Sequence, residues 1–139
     1  GVPNLLEKEI QQEALRYSEK TCLVIEDEPD LREILKDILE GSGLKCTILS
    51  EAWNMDLNIV GNFDLLISDI RLGANQPSGL QFLQQLRDNN IDIPVIMISG
   101  FSAEGVEECL ETKAPVLFLK KPFQTAQILN KVDEIFSLV

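Results

Sequence analysis

Four runs of strand length, apolar throughout but for Ser68, punctuate the chain: Cys22-Leu23-Val24-Ile25, Leu65-Leu66-Ile67-Ser68, Val95-Ile96-Met97-Ile98 and Val116-Leu117-Phe118-Leu119. Strands covered on both faces read this way, apolar at every position rather than at alternate ones. With a further segment at 44–49, they give strand candidates at 21–26, 44–49, 63–69, 94–99 and 115–120. Helical periodicity fills the intervals. Leu31, Ile34, Leu35, Ile38 and Leu39 form a one-sided stripe, with Pro29 where a first turn tolerates a missing N–H and Gly41 and Gly43 at the close. The last helix, about 123–138, gathers Ile128, Leu129, Val132, Ile135 and Phe136 on one side. Segment 102–112 offers only Ala103, Val106 and Leu110 among acidic residues, a thin anchor for a helix. Alternating strands and helices with right-handed crossovers predict an α/β fold. It is a doubly wound, five-stranded parallel sheet, flavodoxin-like in its order 2-1-3-4-5, over residues 21–139.

Residues 1–20 stand apart from this repeat. Leu6, Ile10, Ala14 and Tyr17 share one face of an extra N-terminal helix, with Glu, Gln and Lys over much of the rest. Two readings stay open: an added helix packing on its own domain or a stub of linker from a longer protein, and a dimerising helix or coiled-coil end. The stretch is shorter than the three or four heptads that identify a coiled coil.

Composition narrows the class. A chain of 139 residues with 45% hydrophobic and 25% charged positions suits one soluble domain with a real core. No apolar run approaches membrane-spanning length, so membrane insertion is not expected. Cys22, Cys46 and Cys109 are widely spaced without a CxxC pair, as reduced cytoplasmic thiols would be. A net charge of −11 argues against direct contact with a nucleic-acid backbone. The absence of histidine removes the imidazole base, the imidazole metal ligand and any phosphohistidine of the chain's own.

The strand ends carry the chemistry. Glu26-Asp27, Asp69, Ser99 and Lys121 each follow an apolar run, and parallel strands bring their ends to one edge, where ligands of open α/β sheets bind. Three carboxylates suit Mg²⁺, a hard ion that takes oxygen ligands. Acids at strand ends also cap following helices, and the pair alone would be read so. Asp69, Ser99 and Lys121 at three further strand ends turn the balance toward a pocket for a cation and a phosphoryl group. Aspartate can accept phosphoryl as an acyl phosphate, lysine can neutralise its oxygens, and a hydroxyl can donate to them.

Residues 21–139 resemble a receiver domain of two-component response regulators. The pieces that carry the resemblance are Leu23-Val24-Ile25-Glu26-Asp27-Glu28, Asp64-Leu65-Leu66-Ile67-Ser68-Asp69, Pro94-Val95-Ile96-Met97-Ile98-Ser99-Gly100 and Lys121-Pro122-Phe123. The resemblance implies that Asp69 is the phospho-acceptor and that Glu26 and Asp27 are the metal-binding acid pair. It implies the switch hydroxyl at Ser99, the motif lysine at Lys121 rather than Lys120, and a cis Lys121-Pro122 bond. Phe118 matches the switch aromatic, which follows the hydroxyl inward on phosphorylation and remodels the face of the family's fourth helix, fifth strand and fifth helix. The Arg71 backbone carbonyl takes a metal-ligand position. Such a domain receives its phosphoryl group from a sensor histidine kinase or a histidine phosphotransfer protein. It acts on a downstream protein partner or a fused domain, and dimerisation stays open. It is a phospho-acceptor rather than a turnover enzyme.

This chain departs from the family pattern after Asp69. The stretch to Gly79 is longer than usual, with Gly73 where proline is common and Pro77 displaced. Arg71 and Phe101 are bulky neighbours of the acceptor and hydroxyl positions, and they predict a long-lived phosphorylated state. Other classes fit less well. A haloacid-dehalogenase-type phosphatase needs a second Asp where Arg71 stands. A flavodoxin-like cofactor binder needs a phosphate cradle where Glu26-Asp27-Glu28 would repel it. A pseudo-receiver would keep the fold and act only in docking.

Overall fold

The computed structural model describes residues 4–6, 16–51, 55–71, 78–100 and 113–139. The strands are β1 (Thr21–Ile25), β2 (Lys45–Leu49), β3 (Leu65–Asp69), β4 (Val95–Ser99) and β5 (Val116–Lys120). The helices are α1 (Pro29–Gly41), α2 (Leu57–Val60), α3 (Gly79–Asp88) and α4 (Thr125–Ser137). The strands form one parallel sheet in the order β2-β1-β3-β4-β5, the order expected from the alternation of strand and helix signals.

The runs are apolar on both faces because successive side chains enter two different cores. Cys22, Val24, Leu65, Ile67, Ile96 and Ile98 face the core that α1 and α4 close with Leu35, Leu39, Ile128, Val132 and Ile135. Leu23, Ile25, Leu66, Val95 and Met97 face the other, closed by Val60 of α2 and by Phe82, Leu83 and Leu86 of α3. Strands β3 and β4 are buried throughout, whereas the edge strands β2 and β5 are partly exposed.

Local sequence sets the helix ends. Pro29 opens α1, and Gly43 adopts φ 99° in the turn after it, a left-handed conformation that favours glycine. Ile34, on the shoulder of the predicted stripe, is half exposed while Leu35 and Leu39 are fully buried. Helix α3 begins with a capping box: the Gln81 N–H donates to Ser78 Oγ, and the Ser78 N–H donates to Gln81 Oε1.

The predicted N-terminal helix falls largely outside the described residues, as does the predicted helical segment 102–112. Residues 16–20 are described, and they dock on α4. Tyr17 stacks on Phe136 with ring centroids 5.1 Å apart, its hydroxyl donates to Asp133, and Arg16 pairs with Asp133 at 3.2 Å. No helix among the described residues is long and apolar enough to cross a membrane.

Candidate functional site

The carboxyl edge of the central strands carries the site. Glu26 immediately follows β1, Asp69 ends β3, Ser99 ends β4 and Lys121 immediately follows β5. The register pairs Ile25 with Ser68 and Asp69 with Ile98, which puts the acids of β1 and β3 side by side. One carboxylate oxygen from each of Glu26, Asp27 and Asp69 lies within 4.8 Å of the others. Glu26 and Asp69 are buried, whereas Asp27 is exposed at the mouth.

Lys121 closes this cluster. Its Nζ donates to Asp69 Oδ2 at 2.5 Å and to Glu26 Oε1 at 3.5 Å. Lys120, one residue earlier, is exposed at the end of β5, so alternation along the strand sends Lys121 to the acids. The Lys121-Pro122 bond is cis. The Lys121 N–H donates to the Ser99 carbonyl at 2.6 Å, tying the turn after β5 to the end of β4. Phe118, three residues before Lys121, is half-buried against the core beneath α3 and is paired in register with Met97. Ser99 is buried. Phe101 lies outside the described residues.

The acid pair does not cap α1. Glu28 takes the N-cap position without a side-chain capping bond, and the carboxylates of Glu26 and Asp69 turn to each other and to Lys121. Two features held the pocket without being singled out in the sequence. Arg32, one turn into α1, donates from Nη1 to the backbone carbonyls of Glu26 and Asp27 at 2.9 and 3.0 Å, fixing the acid pair's backbone. Gly79, at the start of α3, packs directly on the end of β3. A Cβ there would overlap the Asp69 carbonyl oxygen and come within 2.8 Å of Met97 Cε. The Ser78-x-x-Gln81 capping signal marks that helix start and was the available clue.

Electrostatics follow from the crowding. Burial pushes the Glu26 carboxyl up to about 7, the negative charge of Asp69 adds to the shift, and Lys121 opposes it. Burial pulls the Lys121 ammonium down, but its hydrogen bond to Asp69 and the charge of Glu26 outweigh that and hold it above the ordinary lysine value. Glu26 Oε2 is buried with no protein partner, which leaves a desolvated oxygen for some further cation to satisfy. An all-oxygen donor set with one orphaned member fits a hard divalent cation.

A family model for the response regulator receiver domain matches residues 22–133. The chain belongs to that family. The receiver is 32% identical over 111 residues to the C4-dicarboxylate transport transcriptional regulatory protein DctD of Pseudomonas aeruginosa. The match covers 79% of this chain and 24% of that regulator. It is 26% identical over 132 residues to the sensor kinase CckA of Brucella abortus, covering 93% of this chain and 14% of the kinase. The receiver thus spans about a quarter or less of the length of these curated relatives. Among solved structures, a response regulator receiver protein from Sinorhizobium medicae superposes with a TM-score of 0.69 at 27% identity, covering 85% of this chain and 94% of that one. The receiver domain of a Pseudomonas aeruginosa sensor histidine kinase shares the fold. Its TM-score is 0.68 at 20% identity, over 85% of this chain and 98% of the other, and its structure holds a magnesium ion in the active-site cleft. The family is one of phospho-accepting signalling modules, and this member carries an acidic pocket of Glu26, Asp27 and Asp69 at the carboxyl edge of its sheet.

Proposed function

We propose that this receiver accepts a phosphoryl group on Asp69 from a phosphohistidine in a sensor histidine kinase or histidine phosphotransfer protein, in a Mg²⁺-dependent reaction that switches a protein-interaction surface. The contact of Lys121 Nζ with Asp69 Oδ2 at the mouth of a three-carboxylate pocket carries the reading. An Asp69 oxygen attacks phosphorus, the P–N bond breaks, and the departing imidazole keeps its electron pair. The product is an acyl phosphate on a buried strand end. Lys121 neutralises charge on the phosphoryl oxygens, and Ser99 donates its hydroxyl to one of them. Glu26, Asp27, Asp69 and the Arg71 carbonyl would hold Mg²⁺, which supplies charge neutralisation at the same oxygens. The Arg71 N–H donates to Asp69 Oδ1 at 2.9 Å and so orients the acceptor. The magnesium-bearing receiver of the same fold supports this assignment.

In this reading the inward pull on Ser99 draws Phe118 with it, and the surface around β5 and α4 changes state. That surface would engage a downstream protein or a fused domain. Arg71 and Phe101, each two residues after a pocket residue in the sequence, slow hydrolysis of the acyl phosphate in this reading, and an Arg71→Asn, Phe101→Glu double variant accelerates it. The test of the acceptor is chemical. After incubation with Mg²⁺ and phosphoramidate, a small P–N donor, borohydride reduction should convert Asp69 alone to homoserine. Conversion at a different carboxylate, or none in the folded protein, would overturn the assignment.

A further inference from the structure

Cys22 and Cys46 form a pair of neighbouring free thiols, remote from the acidic pocket. They are direct register partners on β1 and β2, with neighbouring strands about 4.8 Å apart, inside the span that a disulfide bridges between Cα atoms. Directly opposed residues of parallel strands project to the same face, and both side chains pack into the core under α1 and α4. Both are free thiols. Cys22 is fully buried, whereas Cys46 sits on the edge strand and is partly exposed. The Cys22 thiol donates to the Leu23 carbonyl at 3.8 Å and the Cys46 thiol to the Leu44 carbonyl at 4.0 Å. The neighbouring Cys22 thiol holds Cys46 below its ordinary value, while burial pushes Cys22 well above its own. The accessible member of the pair is therefore the better nucleophile, and the buried one is held beside it as a resolving thiol.

We propose that Cys22 and Cys46 are a redox site, closing an intramolecular disulfide between β1 and β2 when the receiver meets a peroxide. The Cys46 thiolate attacks one peroxide oxygen, the O–O bond breaks, and hydroxide leaves with a proton to become water. The resulting sulfenic acid is attacked by Cys22 sulfur, the S–O bond breaks, and a second water departs as the S–S bond forms. The peroxide is reduced by two electrons and the dithiol oxidised by two. A thiol reductant restores both thiols by exchange. Cys22 lies four residues before Glu26, about 13 Å along the strand, so the crosslink forms away from the acids.

The test uses the full chain carrying Cys109→Ser, so that these two are its only thiols. It is treated with hydrogen peroxide while folded and read by intact mass, free-thiol count and peptide mapping. The expected result is a monomer lighter by two hydrogen atoms, with no free thiol, a Cys22–Cys46 linked peptide and full recovery in dithiothreitol. The added Cys46→Ser variant, changed at the partly exposed position, should gain neither oxygen nor a crosslink on Cys22. Stable addition of oxygen to Cys46 without a linked peptide would overturn the proposal. So would a disulfide found only between chains, or two thiols unreactive in folded protein.

Discussion

Replacing Glu26 by glutamine should stabilise the metal-free receiver above neutral pH and weaken its response to magnesium. Glu26 is buried, and its carboxyl is raised from 4.5 to about 7. Between those values the folded state holds a proton that the unfolded chain has released. Stability therefore falls as pH rises from about 4.5 through about 7, and the cost is fully present above that window. At about 1.4 kcal/mol per unit, the interval corresponds to about 3 kcal/mol. Glutamine keeps the shape and an acceptor for the Glu28 N–H, now 3.3 Å from Glu26 Oε1, but gives up the attraction of Lys121. Its neutral amide removes the ionisation cost. We expect Glu26→Gln to gain roughly 1–3 kcal/mol at pH 8 and little at pH 5, where wild-type Glu26 is protonated in the fold. Urea denaturation in EDTA at the two pH values measures this as a difference between proteins, in which other titrations cancel. Magnesium should then narrow the difference. It stabilises wild type by about 2.7 kcal/mol at a hundredfold excess over Kd, and the variant by less. An equal effect of the substitution at pH 5 and pH 8 would refute the reasoning, because the gain would then owe nothing to ionisation.

Three further outcomes follow from the packing and the charges. Gly79→Ala should cost about 1–3 kcal/mol or more in chemical denaturation, because its methyl overlaps the Asp69 carbonyl, a backbone group rather than the end of a flexible side chain. Lys121→Ala should leave the far-UV circular dichroism and the magnesium-dependent stabilisation in place. It should slow phosphorylation by small donors about 10- to 100-fold, the loss of one charge-assisted contact, measured by the time course of adduct formation. Tyr17→Phe should lose about 1 kcal/mol in thermal or urea unfolding, since the stack on Phe136 survives while the hydrogen bond to Asp133 does not.

The sheet was legible because its two signals agree. Leu23-Val24-Ile25 and Val95-Ile96-Met97-Ile98 are apolar at every position, which only a strand with a core on each face requires. Helix α1 was legible from Pro29 to Gly41, but its stripe overstated burial at Ile34, because hydrophobic spacing marks a face without saying how wide the neighbour is. The pocket was legible as a set of strand ends, and the strand register brings Glu26, Asp69 and Lys121 together. Gly79 and Arg32 were not singled out, for a physical reason. Each acts on backbone atoms of a site residue, and a sequence does not display which carbonyl a side chain or a missing Cβ will meet. The docking of Tyr17 on Phe136 likewise joins the two ends of the domain, a contact that no local periodicity encodes.

Intact mass spectrometry after incubation with Mg²⁺ and acetyl phosphate decides whether Asp69 accepts phosphoryl, with wild type and Asp69→Asn side by side and EDTA as control. A single phosphoryl adduct is expected on wild type that disappears with EDTA and never forms on Asp69→Asn. An adduct on folded Asp69→Asn, or no adduct on folded wild type at saturating Mg²⁺ and donor, would contradict it and leave this receiver a docking module.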